Sequence, residues 1–139
     1  MAVEGFDLLF LDSSFLIALH GVEDATHERA IALLSEADRE GSRLCTIWDC
    51  VSEALTILRR HFGHRPACAL ADAIDDLSLV TYDTSHRLEA VDLFRRASRG
   101  RPVSYVDALC AVVVKRELRG APALSFDSDF ARLGLTVIR

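Results

Sequence analysis

No stretch of this chain is long and apolar enough to span a membrane. The longest unbroken apolar run, Ala108 to Val114, is seven residues, against the roughly 20 that a membrane helix needs. The opening residues, MAVEGFD, lack the basic start of a signal peptide. Cys45, Cys50, Cys68 and Cys110 contain no C-x-x-C pair, so they read as small apolar residues of a reducing compartment. His20, His27, His61, His64 and His86 show no H-x-x-x-H or H-E-x-x-H spacing, which speaks against a zinc site. There is no internal repeat and no low-complexity tract. An excess of positive charge is also missing: 16 Lys and Arg face 21 Asp and Glu, a net charge of −5. That balance argues against a non-specific nucleic-acid binder. The expectation is a soluble, cytoplasmic protein.

What is present suffices for one core. At 139 residues and 50% hydrophobic content, the chain predicts a single domain over residues 1–139. Leu8 to Leu11 is a continuous apolar run of the kind found in a strand buried on both faces. Ser13 or Ser14 then caps a helix to His20. A second helix is expected from Thr26 to about Arg39, with Ala30, Ile31, Leu33 and Leu34 inward and Gly41 ending it. Arg43 to Ile47 reads as a strand and Trp48 to His61 as a helix. A further helix holds Pro66 in its first turn and reaches about Asp76.

Leu77 to Tyr82 reads as a third strand. Thr84 to Ser98 is expected helical, with Leu88, Val91, Leu93 and Phe94 as core positions, and Gly100 and Pro102 break the chain. A helix from Ser104 to Arg119 is followed by short strands at Ala121 to Ser125 and Leu135 to Ile138, with a helical turn around Asp129 to Leu133. Strands alternating with helices imply the α/β class: a three-layer α/β/α domain with a central, mostly parallel sheet of four to five strands. Ligands of such sheets gather beyond the carboxyl ends of the strands.

Acidic residues stand at those ends or on the helices just beyond them. Asp12 follows the first strand; a helix-capping role is its bland reading, but Ser13 and Ser14 are available for that. Glu53 lies at the edge of the apolar arc formed by Trp48, Cys50, Val51, Ala54, Leu55, Ile57 and Leu58, where a solvated glutamate is the ordinary case. Asp107 is the strongest anomaly, because its helix is apolar almost all round. Ser104 three residues earlier allows a capping box, yet a carboxylate in apolar surroundings needs a partner or a proton. Asp127 and Asp129 flank Ser128 near a helix start, where one of them is expected to serve as a simple N-terminal charge. Ser13, Ser104 and Ser125 each lie within three residues of a candidate acid, placed to orient a carboxylate or to cap a helix. Like charges in one pocket raise each other's pKa unless a cation neutralises them, so a cluster of these acids implies a hard divalent ion.

Two basic blocks offer contacts to phosphates: Arg59, Arg60, His61, His64 and Arg65, and then Arg95, Arg96, Arg99 and Arg101. Their bland reading is cations at helix C-termini.

Asp12-Ser13-Ser14, Ser52-Glu53, Ser104-x-x-Asp107-Ala108 and Ser125-Phe126-Asp127-Ser128-Asp129-Phe130, taken in this order, make the chain resemble PIN-domain ribonucleases, and VapC-type toxins within that family. The resemblance runs from about Leu8 to Ile138. It implies a PIN-like domain in which residues 1–7 are a short N-terminal extension. It further implies that Asp12, Glu53, Asp107 and Asp127 are catalytic and bind Mg²⁺ or Mn²⁺. Asp129 is a secondary metal ligand, and Ser125 stands where Thr is more usual. The implied reaction is hydrolysis of RNA to 5′-phosphate and 3′-hydroxyl ends, with Arg59, Arg60, Arg95, Arg96 and Arg99 as weaker RNA contacts. The implied partners are an antitoxin protein and a second copy in a homodimer.

A stand-alone PIN nuclease in RNA processing and a non-catalytic PIN-fold binding module stay open. A receiver-like domain wants adjacent acids after the first strand and a late lysine, but no lysine follows Lys115. A haloacid-dehalogenase-type phosphatase wants Asp-x-Asp, and Ser14 breaks that pattern.

Overall fold

A computed structural model describes residues 2–139. The elements are β1 (Leu8–Leu11), α1 (Ser13–His20), α2 (His27–Glu40), β2 (Arg43–Thr46), α3 (Trp48–His61), α4 (His64–Ala73), β3 (Ser78–Leu79), α5 (Thr84–Ala97), α6 (Tyr105–Glu117), β4 (Ala123–Leu124) and β5 (Val137–Ile138). Short 3₁₀ turns follow α4 at Ile74–Asp76 and β4 at Ala131–Leu133. The five strands form one sheet in the order β3-β2-β1-β4-β5, and every neighbouring pair is parallel. This is the α/β class read from the alternation of strands and helices.

From β1 the chain moves outward through β2 to β3, then returns across the sheet to β4. Right-handed crossovers therefore put the intervening helices on opposite faces. Helices α1 to α4 pack on one another, while α5 pairs with α6. The core strands are apolar on both faces, with Leu9, Phe10, Leu11, Ala123 and Leu124 fully buried. The segment before β1 is anchored, because Val3 is itself buried in the core. Among the described residues no helix is long and apolar enough to cross a membrane.

Strand ends and helix faces differ from the sequence expectation in instructive ways. The third strand is only Ser78–Leu79, β4 only Ala123–Leu124 and β5 only Val137–Ile138. In α2, Ala30, Leu33 and Ala37 face the core as the helical period requires, but Ile31 is 41% exposed and Glu36 is buried. Ile31 and Leu34 turn instead toward a groove that Leu16, Leu19, Leu70 and Leu77 also line. In α5, Leu88 is exposed. His86 and Ala90 face inward, His86 because Glu117 Oε1 lies 2.7 Å from its Nε2 and Asp83 caps it from the other side. Trp48, expected within the apolar arc of α3, is 56% exposed. Gly41 ends α2 in the left-handed conformation, φ 70°, as its position predicts.

Candidate active site

The strand order reverses at β1, which has β2 on one side and β4 on the other. The crevice between the carboxyl ends of β1 and β4 is thus the topological switch point, where open α/β sheets hold their ligands. Asp12 leaves β1 there and Ser125 leaves β4. The Ser125 hydroxyl donates to Asp12 Oδ2 across the crevice at 2.5 Å.

Asp12 is itself the N-cap of α1, correcting the expectation that Ser13 or Ser14 would take that place: its Oδ1 accepts from the Phe15 backbone N–H at 3.0 Å. The Ser14 hydroxyl donates to the same oxygen at 2.7 Å. Each of the two serine hydroxyls is oriented in turn by an amide of the β4 loop. Phe126 N–H donates to Ser14 Oγ at 2.9 Å, and Asp127 N–H donates to Ser125 Oγ at 3.1 Å. The rings of Phe15 and Phe126 stack at 5.8 Å, fastening α1 to that loop. Thr46 Oγ1, fully buried, donates to Leu11 O and fixes the end of β1 from the other side. Ser14 thus fills the supporting role that sequence reasoning gives to Ser13, which is half-buried and forms no side-chain hydrogen bond among the described residues. The signal for Ser14 was its place two residues after an Asp, where a hydroxyl folds back onto the carboxylate.

Asp12 is 3% exposed, and burial raises its pKa from 3.8 to about 6. The hydrogen bonds from Ser125, Ser14 and Phe15 hold that rise back, while the charge of Asp107 adds to it. Asp107 occupies the third position of α6 in a capping box: its backbone N–H donates to Ser104 Oγ at 3.1 Å, and Ser104 N–H donates to Asp107 Oδ2 at 3.2 Å. Its pKa is also raised, first by burial and then by the charges of Asp127 and Glu53. Asp12, Asp107, Asp127 and Glu53 therefore share one electrostatic pocket, with Glu53 arriving half-buried from the second turn of α3.

Asp129 is engaged elsewhere. Arg101 approaches its Oδ1 at 3.5 Å and Arg132 at 3.7 Å, while its backbone N–H donates to Asp127 Oδ1 at 2.9 Å. Asp127 is the freer of the two.

Among the described residues no group of three acidic, His or Cys side chains forms a ready cation cage. Local bonds explain the spread: Asp12 is held by its serines, Asp107 by the Ser104 amide and Asp127 by the Asp129 amide. Each of these carboxylates still keeps an unused lone pair, since a carboxylate offers about four acceptor sites. An oxygen-only donor set with two raised pKa values fits a hard divalent ion, which would relieve the repulsion.

The predicted basic blocks lie away from the acids, at helix ends. Arg59 and Arg60 are exposed in the last turn of α3, and Arg95 and Arg96 in that of α5, where Arg95 pairs with Asp92 at 3.1 Å. Arg99 is exposed in the following loop, and only Arg101 from that block reaches the acidic site.

This is a doubly wound α/β domain with an acidic crevice at its switch point. The chain belongs to the PIN-domain family, whose family model matches residues 9–135. Among solved structures it is similar to VapC20 of Mycobacterium tuberculosis, described as a sarcin-ricin loop cleaving toxin. The TM-score is 0.82 at 29% identity, covering 94% of this chain and 98% of that one. VapBC2 of Rickettsia felis, solved with a DNA fragment from its promoter, has a TM-score of 0.66 at 11% identity, covering 94% and 97%. PAE2754 of Pyrobaculum aerophilum has a TM-score of 0.59 at 20% identity, covering 99% and 90%. These last two likenesses bear on the fold alone. No curated protein sequence matches this chain at a significant level.

Proposed function

We propose that this protein is a metal-dependent endoribonuclease and the toxin of a VapBC-type toxin–antitoxin pair. The observation that carries the reading is the buried Asp12 at the switch point of a PIN fold, coupled in charge to Asp107, which in turn feels Asp127 and Glu53. Asp12, Glu53, Asp107 and Asp127 are the ligands assigned to Mg²⁺ or Mn²⁺, with Asp129 secondary because its arginines draw it aside. When bound, such a cation supplies Lewis acidity toward the scissile phosphodiester and lowers the pKa of the attacking water. The protein's own part is positioning. Ser14 and Ser125 fix both oxygens of Asp12, and the capping box fixes Asp107 at the start of α6. The likeness to a toxin supports the further proposals of an antitoxin partner and a homodimer.

The test is to incubate purified, partner-free protein with RNA containing a sarcin–ricin loop and with total cellular RNA. The conditions are Mg²⁺, Mn²⁺ or excess chelator, beside an Asp107→Asn variant. Cleavage that needs metal, leaves 5′-phosphate ends and is lost in the variant is the expected result. Chelator-resistant cleavage that survives in Asp107→Asn would sink the mechanism. A folded protein that cuts nothing in either metal would turn the reading toward a binding module.

A further inference from the structure

The chain has one tryptophan and two tyrosines, and the structure brings all three to the same edge of the sheet as the acids. Trp48 opens α3 immediately beyond β2, and Tyr82 lies just beyond β3. Thr46 pairs with Leu79 in the sheet, so the two residues leave adjoining strand ends. Tyr105 opens α6, two residues before Asp107. Arg87 of α5 joins this group. Its guanidinium carbon stands 4.9 Å from the centre of the Tyr82 ring, and its amines donate to Tyr82 Oη at 2.9 Å and to Tyr105 Oη at 3.3 Å. Asp49 completes the cluster by accepting from the Tyr82 hydroxyl and, at 3.5 Å, from Arg87.

The cluster is open to solvent where it counts. Trp48 is 56% exposed and the Arg87 side chain 45%, while Asp49 is the more buried partner at 20%. An exposed Trp, and an Arg on the same edge braced against a Tyr face, have little value for folding, since the large fully buried rings are the phenylalanines Phe10, Phe15 and Phe130. It is, however, the combination that grips unpaired nucleotides: the open ring of Trp48 for a base to stack on, and a guanidinium backed by the Tyr82 ring for a second base or a phosphate. Arg87 has five N–H donors and its contacts here do not use them all.

We infer that Trp48, Tyr82 and Arg87, braced by Asp49 and Tyr105, form a platform for an unpaired stretch of RNA leading into the acidic crevice. The inference rests on the ribonuclease reading for its choice of RNA, and it adds a selection for single strands over duplex. The duplex buries its base faces and cannot stack on the rings. The strand would run along the carboxyl edge of the sheet, from β3 and β2 to the scissile bond at β1 and β4.

Trp48, as the sole tryptophan, reports on its own site. Its emission is followed as a short single-stranded RNA of mixed sequence is added in excess chelator, so that nothing is cut. The same sequence annealed to its complement serves as the duplex probe. Saturable quenching by the single strand and little by the duplex is expected. Arg87→Ala, and Tyr82→Leu, which removes the ring that backs Arg87, should each weaken that binding about tenfold, the size of one stacking contact. Trp48→Leu, followed by anisotropy of labelled RNA, should do the same. Trp48 is exposed and its loss opens no core cavity, so a weakened Kd there reflects the surface and not unfolding. In metal-dependent cleavage the same variants should raise KM and leave kcat nearly unchanged.

Equal quenching by duplex, or dissociation constants for Trp48→Leu and Arg87→Ala equal to the parent's, would overturn the platform. If the parent cuts RNA while these variants match it in Kd and KM, the platform fails and the nuclease stands. If single-stranded RNA quenches Trp48 but no metal elicits cleavage, the platform stands and the nuclease fails.

Discussion

The two halves of the strand-end edge are built on opposite plans. At β1 and β4, Asp12 is 3% exposed and wrapped by short-range caps and two serine hydroxyls. Beyond β2 and β3, Trp48 and Arg87 stand in solvent, and Arg87 is held by Tyr82 nearby in sequence and by Asp49 and Tyr105 from other helices. Burial raises the pKa of Asp12 even with three donors, so the first half carries a net cost to stability in its charged form. The second half costs the fold little and is free to serve recognition. The expected division of labour is turnover at the acids and affinity at the rings.

The sharpest way to break that division is Asp107→Asn. On the proposed reading Asp107 holds the cation that would stabilise charge in the transition state, so its loss should lower kcat on the order of 10²–10³-fold. RNA-dependent quenching of Trp48 should persist or strengthen, because a repelling charge is gone. A variant that lost binding and turnover together would mean the two halves act as one.

Asp12→Asn tests the energetic side of the contrast. The pKa of Asp12 is raised from 3.8 in the unfolded chain to about 6 in the fold. Folding therefore takes up a proton as pH falls through that interval. The penalty is fully present above about pH 6 and gone below the unfolded value. At about 1.4 kcal/mol per pKa unit, the folded protein carries about 3 kcal/mol of strain at pH 7. Chemical denaturation in chelator should thus show Asp12→Asn about 2–3 kcal/mol more stable than the parent at pH 7. The gap should close toward pH 4. A variant less stable than the parent at pH 7 would mean that the serine bonds outweigh burial.

Ser125→Ala leaves the acids in place and removes the hydroxyl that bridges β4 to Asp12 at 2.5 Å. Loss of such an orienting bond typically lowers metal affinity or activity by roughly 10–100-fold. The check is cleavage rate against Mg²⁺ or Mn²⁺ concentration, and Ser125→Thr should restore most of it. A matching Ser13→Ala should change little, since the Ser13 hydroxyl has no hydrogen bond among the described residues.

The two halves also differed in how much of them could be read from sequence. Each acid of the first half sits at a strand end or a helix cap, positions that local pattern fixes, so the placement of Asp12, Asp107 and Asp127 is legible from sequence. The sheet is legible for the same reason: LLFL of β1 is a short apolar run of the kind found in strands buried on both faces. What escaped was contact between distant segments. Local pattern favours Ser13 over Ser14 as the support, because which hydroxyl faces β4 depends on where Phe126 docks. The helical pattern puts Leu88 rather than His86 in the core, because a buried His is tolerable only once Glu117 arrives from α6. The Asp49, Tyr82, Arg87 and Tyr105 cluster comes from four segments with no shared motif, and Trp48 looked like one more apolar residue of its arc.

The smallest expected effect separates the ring of Tyr82 from its hydroxyl. Tyr82→Phe keeps the face that Arg87 covers and removes the bonds to Asp49 and Arg87. A partly exposed side-chain hydrogen bond contributes about 1 kcal/mol or less. The Kd for single-stranded RNA should therefore change by less than about fivefold, whereas Tyr82→Leu, which lacks the ring, should lose about tenfold. If Tyr82→Phe is as damaging as Tyr82→Leu, the hydroxyl's hold on Arg87 matters more than stacking. The exposed half of the edge would then be a phosphate clamp, with its rings serving only to aim the guanidinium.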